Sequence, residues 1–434
     1  MNEYRYMVRK EYFGAYVYDG KEKMYLLFDK ESYELFLALA CDFRAFDDLD
    51  EDVQELMAEE EFVCDGHCNF FLIDNGDYGN VLSTPMRMHL LYTEECNLNC
   101  IHCFSRESKN SASMEMSFQD KVSILDEMRK IGICEILIGG GEPFIREDLF
   151  DFIEECNRRS ITAKIFTNGL LIGDHNIARI AKMKVAYLSF SVDGTTEDNY
   201  RITRGINGLQ TVVDNIKRLK ELGCTYPLLI STTINHYNCQ NPELFLELVY
   251  ETSADRLKIR ATKPNGNILQ NQDVMVSPHE YRDFLLHMQK AYNQKYKDMF
   301  KLDLTWGDYR LVYDEDANAL VIENTDLPYG EYGCVAGKTT MCINSCGTAT
   351  PCGFLPDALQ PTESENVITR SILDVWHHGE SFCRLRNIPQ NAVCSQCEQY
   401  EVCRGGCIAR IMFDKQPING IDPWCIKEFF PIGL

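Results

Sequence analysis

The sequence predicts an α/β protein: a partial (β/α)6 TIM barrel between a small N-terminal winged-helix-like unit and a cysteine-rich C-terminal unit. Three observations carry this. From residue 86, apolar runs alternate with amphipathic segments, the signature of parallel strands joined by right-handed crossovers. Ahead of that point stand short Tyr-, Val- and Phe-rich runs broken by turns. Beyond about residue 305 the periodicity fades, and ten of the twenty cysteines crowd into the remainder. The expected units are therefore residues 1–83, 84–304 and 305–434.

In the first unit, FGAYVYDG and KMYLLFDK read as strands of an antiparallel meander, being β-branched or aromatic and bounded by turn residues. ESYELFLALA and DEDVQELMAEE place apolar residues at helical spacing. FFLIDNGDYGNVLSTP, with its Asn-Gly turn, reads as a linker or wing.

In the second unit RMHLLY is a strand running into a cysteine cluster. SFQDKVSILDEMRKIG is an amphipathic helix, with Ser117 as its N-cap and Gly132 as its stop. EILIGGGEP follows as strand and turn, and DLFDFIEECNRR as helix. AKIFTNG, AYLSFSVDG, PLLISTTIN and RLKIRATKP are further strands. Six such units are too few for a closed eight-unit barrel. An open barrel with chemistry at the C-terminal strand ends is expected.

Composition narrows the function. A formal net charge of −23 and a pI near 4.8 exclude a broad nucleic-acid surface, which needs clustered Lys and Arg. No apolar stretch reaches 18 residues, so no membrane span is expected. MNEYRYMVRKEYFG lacks a secretory apolar run, and a cytoplasmic address is the expectation. Twenty cysteines in a long chain of this kind indicate metal or redox chemistry rather than disulfides.

The densest chemistry is Cys96-Asn-Leu-Asn-Cys100-Ile-His-Cys103, directly after a predicted strand. Three thiolates can hold three irons of a cubane and leave the fourth without a protein ligand. A zinc site or three unrelated thiols are the competing readings. Gly139-Gly140-Gly141-Glu142-Pro143, Thr167-Asn168-Gly169 and Ser191-Val192-Asp193-Gly194 stand at the ends of the following strands. Polar groups there converge on one mouth, suited to a nucleoside and an amino acid.

With these motifs in this order, the chain from about residue 86 resembles the radical SAM superfamily. The resemblance implies a [4Fe–4S] cluster on Cys96, Cys100 and Cys103, where S-adenosylmethionine is cleaved to a 5′-deoxyadenosyl radical. It also implies Gly140, Gly141 and Glu142 at the methionine amino group, with Asn168, Ser191 and Asp193 near the ribose or carboxylate. Arg204 is a further candidate for the carboxylate. His102 departs from the aromatic residue usual near the adenine, though it still offers a flat ring.

Cys394-x2-Cys397-x5-Cys403-x3-Cys407, followed by Cys425 and preceded by Cys334 and Cys352, fits a zinc knuckle if read alone. After a radical SAM core it resembles the SPASM extension, which implies two auxiliary [4Fe–4S] clusters, three in all. Cys394, Cys397, Cys403 and Cys425 would hold one; Cys334, Cys352 and Cys407 would hold the other. Its fourth ligand is left between Cys342, which is preferred, Cys346 and a substrate thiol. Cys64 and Cys68 read as structural or incidental.

Residues 1–83 resemble the leader-recognition domain of enzymes that mature ribosomally made peptides. Such a domain binds an extended leader by β-addition. The implied partners are a precursor peptide and an electron donor such as flavodoxin or ferredoxin. The expected activity is a radical SAM peptide maturase closing a cross-link, a cysteine thioether first and a carbon–carbon bond next. An anaerobic sulfatase-maturing enzyme and a zinc-stabilised binding protein are the alternatives.

Overall fold

The computed structural model describes residues 4–104, 115–307, 309–317, 319–323, 334–355, 359–362 and 364–430. The N-terminal unit comprises β1 (Tyr6–Glu11), β2 (Gly14–Asp19), β3 (Met24–Asp29), α1 (Lys30–Cys41), α2 (Glu51–Glu59), the short β4 (Val63–Cys64) and β5 (His67–Cys68), and β6 (Phe70–Ile73). Its sheet runs β3-β2-β1-β6. The meander and both helices lie where the sequence puts them. FFLI, read from sequence as part of a linker, is a strand instead and pairs in parallel with β1. Parallel pairing is non-local, so no hairpin turn announced it. Cys64 and Cys68 donate to the carbonyls of Glu61 and Leu39 and serve this small core.

The barrel follows as β7 (Arg87–Thr93), α3 (Phe118–Ile131), β8 (Glu135–Gly140), α4 (Leu149–Arg158), β9 (Thr162–Thr167), α5 (Ile177–Ile180), β10 (Tyr187–Ser191), α6 (Glu197–Arg204), α7 (Leu209–Glu221), β11 (Leu228–Ile234), α8 (Pro242–Thr252), β12 (Arg256–Ala261) and α9 (Pro278–Lys295). Strands β7 to β12 are parallel neighbours in chain order. α3 shows how the local signals work. Ser117 and Asp120 form a capping box, and Gly132 ends the helix at φ +80°, where a side chain would be strained.

The C-terminal region extends this sheet at both ends. β13 (Lys301–Trp306) adds in parallel to β12, and β14 (Tyr309–Asp314) and β15 (Ala319–Ile322) follow in antiparallel. β16 (Thr340–Ile343) returns beside β7, and β17 (Ala349–Thr350) closes that edge. Among the described residues five short helices follow: α10 (Ile372–His378), α11 (Glu380–Arg386), α12 (Tyr400–Cys403), α13 (Ile408–Phe413) and α14 (Ile426–Phe429).

Along each barrel strand alternate residues are fully buried beneath the helices, for example Met88, Leu90 and Tyr92 on β7 and Leu257 and Ile259 on β12. Their sequence neighbours face the concave side of the sheet. The N-terminal unit is fixed to this barrel by buried polar contacts. Arg9 pairs with Glu11 at 2.7 Å and donates to the Gly132 carbonyl at 2.8 Å, with neither side chain exposed. A Cβ on Gly132 would sit 3.1 Å from the Arg9 side chain. Tyr25 on β3 donates to the Met86 carbonyl and accepts from the Cys134 amide.

Candidate cofactor site

The loop that carries Cys96, Cys100 and Cys103 leaves β7 and is held by its neighbours' backbones. The Gly141 amide donates to Thr93 O at 2.7 Å and the Glu142 amide to Glu95 O at 2.8 Å. Here the glycines have a definite task. A Cβ on Gly141 would lie 2.0 Å from Glu95 O, and one on Gly140, at φ +115°, 2.5 Å from Thr93 O. Gly140 and Gly141 therefore let the end of β8 press against the cysteine loop.

From the other side, the segment after β12 clasps the same loop. Asn267 donates its amide to Cys103 O at 2.9 Å and its side chain to Cys100 O at 2.7 Å. A Cβ on Gly266, at φ +56°, would meet Cys103 O at 2.3 Å. Sequence reasoning missed both residues, although Pro-Asn-Gly-Asn after a strand is a legible turn signal.

Glu142 is buried, and its carboxylate accepts from Thr167 Oγ1 at 2.7 Å, the Asn168 amide at 2.7 Å and the Phe144 amide at 3.2 Å. Burial raises its pKa to about 7 despite these donors. It thus ties the ends of β8 and β9 together. Asn168 in turn donates to Asn97 Oδ1 at 2.8 Å, inside the cysteine motif.

Asp193, after β10, is the electrostatic centre. Its Oδ1 accepts from the Thr233 amide at 2.7 Å, and its Oδ2 pairs with Arg204 and with His102 Nε2 at 2.9 Å. Burial pushes this carboxyl up, but Arg204, His102 and Thr233 outweigh it and hold the pKa down at about 2. Arg204 also donates to Cys100 Sγ at 3.7 Å. His102, expected beside the adenine, is tied in this structure to Asp193. Ser191 is half-buried, opposite Ser231 in the β10–β11 ladder.

Burial raises the Cys100 thiol to about 11; the charge of Arg204 opposes this, and the neighbouring Cys103 and Cys96 add to it. The three thiols thus lie within electrostatic reach of one another beside a fixed cation. That donor set, on one braced loop, fits a cubane with an iron left open for a chelating amino acid.

The C-terminal cysteines fall into two groups. Burial raises Cys394, with Cys425 and Cys397 adding to it, while Cys403 feels Cys394 and Cys425 feels Cys403 and Cys397. Asp422 builds this corner. It accepts from the Cys407 amide at 2.7 Å and the Trp424 amide at 2.9 Å and forms a buried two-bond pair with Arg410. Tyr309 donates to Cys403 O at 2.6 Å, joining the corner to β14. Cys334 and Cys352 share a second small apolar cluster with Ile408, next to Cys407. Cys342 lies on β16, buried, its thiol raised to about 12 by burial and the charge of Glu94. Gly353 packs 3.7 Å from its sulfur, measured from an added Cβ. Among the described residues no three His, Cys, Asp or Glu side chains close around a single ion; a cubane spreads its thiolates further apart.

The radical SAM superfamily matches residues 90–249, and the SPASM iron–sulfur cluster-binding domain matches residues 334–398. The chain is a radical SAM enzyme with a SPASM domain. Its cofactors are accordingly S-adenosylmethionine, the [4Fe–4S] cluster that binds it, and auxiliary iron–sulfur clusters. The enzyme is 27% identical over 360 residues to the mycofactocin maturase MftC of Mycobacterium ulcerans, covering 82% of this chain and 92% of that one. It is 26% identical over 341 residues to the AdoMet-dependent heme synthase of Methanosarcina barkeri, covering 77% and 94%. In fold it is similar to Streptococcus suis SuiB bound to its precursor peptide SuiA, at a TM-score of 0.75 and 19% identity over 98% of this chain and 99% of that one. Among the described residues no helix is long and apolar enough to cross a membrane.

Proposed function

We propose that the enzyme matures a ribosomally made precursor peptide whose leader docks on the N-terminal sheet. The observation that supports this most is β3. Among the described residues it pairs only with β2, its residues are half-buried or exposed, and it lies on a sheet fixed to the barrel through Arg9 and Tyr25. Such an edge offers a row of main-chain donors and acceptors to an incoming strand. The likeness to MftC and SuiB supports the same reading.

When bound, the cluster and S-adenosylmethionine supply a 5′-deoxyadenosyl radical that takes a hydrogen atom from the substrate. Cys96, Cys100 and Cys103 would hold that cluster. Glu142, Asn168, Ser191, Asp193, Arg204 and His102 would shape the nucleoside and amino-acid site. Arg204 keeps a positive charge beside the Cys100 sulfur, and Asp193 keeps Arg204 in place. Cys394, Cys397, Cys403 and Cys425 would hold one auxiliary cluster, and Cys334, Cys352, Cys407 and Cys342 the other. A thioether is the bond we favour, since an auxiliary cluster left incompletely ligated, were Cys342 not to bind it, would suit a substrate thiolate; a carbon–carbon bond is the next choice. The protein would act in the cytoplasm with a flavodoxin or ferredoxin as electron donor.

Co-expression with short peptides from neighbouring reading frames, read by mass spectrometry, tests the reading. A cross-link removes two hydrogens. Hydrogen exchange should slow across Met24–Asp29 when the peptide is added. A peptide that is modified without any protection of β3 would sink the docking site, and the absence of any modified peptide would sink the function.

A further inference from the structure

The acidic chain carries a basic interior. On β7, Arg87 and His89 alternate with the buried Met88 and Leu90, and on β12 Lys258 and Arg260 alternate with Leu257 and Ile259. In a flat sheet these strands would stand five ladders apart, about 24 Å at the usual strand spacing. Yet Asn267, just after β12, donates to the carbonyls of Cys103 and Cys100 in the loop that leaves β7. The sheet is therefore curled, and the two strands face each other across one lumen.

Two further cations there are already matched. Lys164 pairs with Glu135 at 2.8 Å and Arg256 with Asp303 at 3.0 Å. Lys258 faces Asp303 across the β12–β13 ladder, but that carboxylate is held by Arg256, and neither Lys258 nor Arg260 has an ion pair within 4 Å among the described residues. The charge of Arg260, then burial, pushes the Lys258 ammonium down to about 7 against the opposing charge of Asp303. Burial, then the surrounding cations, pushes His89 down to about 3. Arg260 is exposed at the mouth, opposite Thr233 in the ladder. The amide of Thr233 holds Asp193, so the unmatched cations stand beside the cofactor site.

Structural reasons alone do not account for this. Crowded cations of one sign cost stability unless an anion joins them, and the formal net charge of −23 shows no general surplus of base. We propose that Lys258 and Arg260 form a carboxylate receptor in the barrel lumen, which seats a Glu or Asp side chain of the substrate peptide beside the residue to be modified. This rests on the peptide reading above. His89, neutral at physiological pH, supplies a ring donor or acceptor without adding repulsion.

The test uses the anaerobically reconstituted holoenzyme and fluorescein-labelled Ser-Gly peptides bearing either Glu or Gln, read by fluorescence anisotropy. Each protein's iron content and circular dichroism are checked first. The Glu peptide should bind about tenfold more tightly or better, the order expected of a charge-assisted contact. Lys258→Gln with Arg260→Gln should erase that ratio, and Arg260→Lys should keep part of it. Equal binding of the two peptides, or a ratio that survives the double substitution, overturns the receptor. So does a weakened affinity for S-adenosylmethionine with the peptide ratio intact, which would assign the cations to the cofactor. A second arm uses succinate, whose carboxylates belong to a free acid. Cation-dependent binding of succinate with no binding of either peptide would overturn the peptide reading and keep the carboxylate receptor. Modification of a peptide regardless of Glu or Gln would do the reverse.

Discussion

Asp193 has no exposed surface, and its charge is kept by two partners on different segments, the Arg204 guanidinium at the end of α6 and the His102 ring in the cysteine loop. Asp193→Asn would leave Arg204 buried with only the Cys100 sulfur for company. A loss of about 3 kcal/mol is expected, read by thermal unfolding of the iron-loaded protein, with Asp193→Glu recovering part of it. Glu142 makes a different prediction. Its folded-state pKa of about 7 lies above that of an exposed glutamate. The folded protein therefore holds a proton that the unfolded chain has already lost. Its contribution to stability is present below about pH 4.5 and declines as pH rises towards 7. Glu142→Gln should flatten that part of the stability–pH curve while costing about 1–3 kcal/mol overall through weaker acceptance. Equal slopes in the two proteins would contradict the assignment. These residues were visible in the sequence as polar groups at strand ends. Their pairing with Thr233 and Asn97, and the hold of Asn267 on the cysteine loop, were not, because a hydrogen bond between distant loops leaves no trace in local spacing.

At the level of elements, the cysteine loop depends on three supports: the end of β8, the turn after β12 and α6. Gly141→Ala forces a Cβ into the Glu95 carbonyl, which is backbone and cannot swing aside. Loss of the S-adenosylmethionine-binding cluster is expected, about four irons of the total, seen by iron and sulfide analysis with the auxiliary clusters retained. Gly173→Ala is the control, since its backbone is not left-handed and the nearest atom to its added Cβ is on the His175 ring at 3.4 Å. The barrel strands and helices were legible because each is a continuous apolar or amphipathic run. β6 was not. Its partner β1 lies more than sixty residues away, and four apolar residues beside an Asn-Gly turn carry no sign of parallel pairing. The return of β16 to β7 was hidden for the same reason.

At the level of the whole molecule, the C-terminal unit is bound to the barrel by an aromatic cluster, Tyr281, Trp306, Trp424 and Phe429. Among the described residues its own cysteine loops have little apolar core; the cluster around Cys334 and Cys352 buries Ala336, Leu355, Leu359 and Leu385. Metal should therefore carry much of its stability. Cys397→Ala is expected to lose about four irons and to expose the region after residue 334 to limited proteolysis while the barrel stays protected. Anaerobically purified protein should contain iron and sulfide; zinc without either would revive the knuckle reading.

The sequence by itself determined the chemistry and the succession of elements. Cys96, Cys100 and Cys103 must lie on one loop because seven intervening bonds of chain allow little else, and strand periodicity places that loop at a barrel mouth. Tertiary structure alone decided which distant groups meet. It brought Cys425 to Cys394 and Cys397, and Arg204 to Cys100. It also curled the sheet so that the turn after β12 meets the loop after β7, and Arg87, Lys258 and Arg260 share one basic lumen with the neutral His89. Spacing along a chain fixes near neighbours; sheet curvature, a property of the packed whole, chooses the far ones.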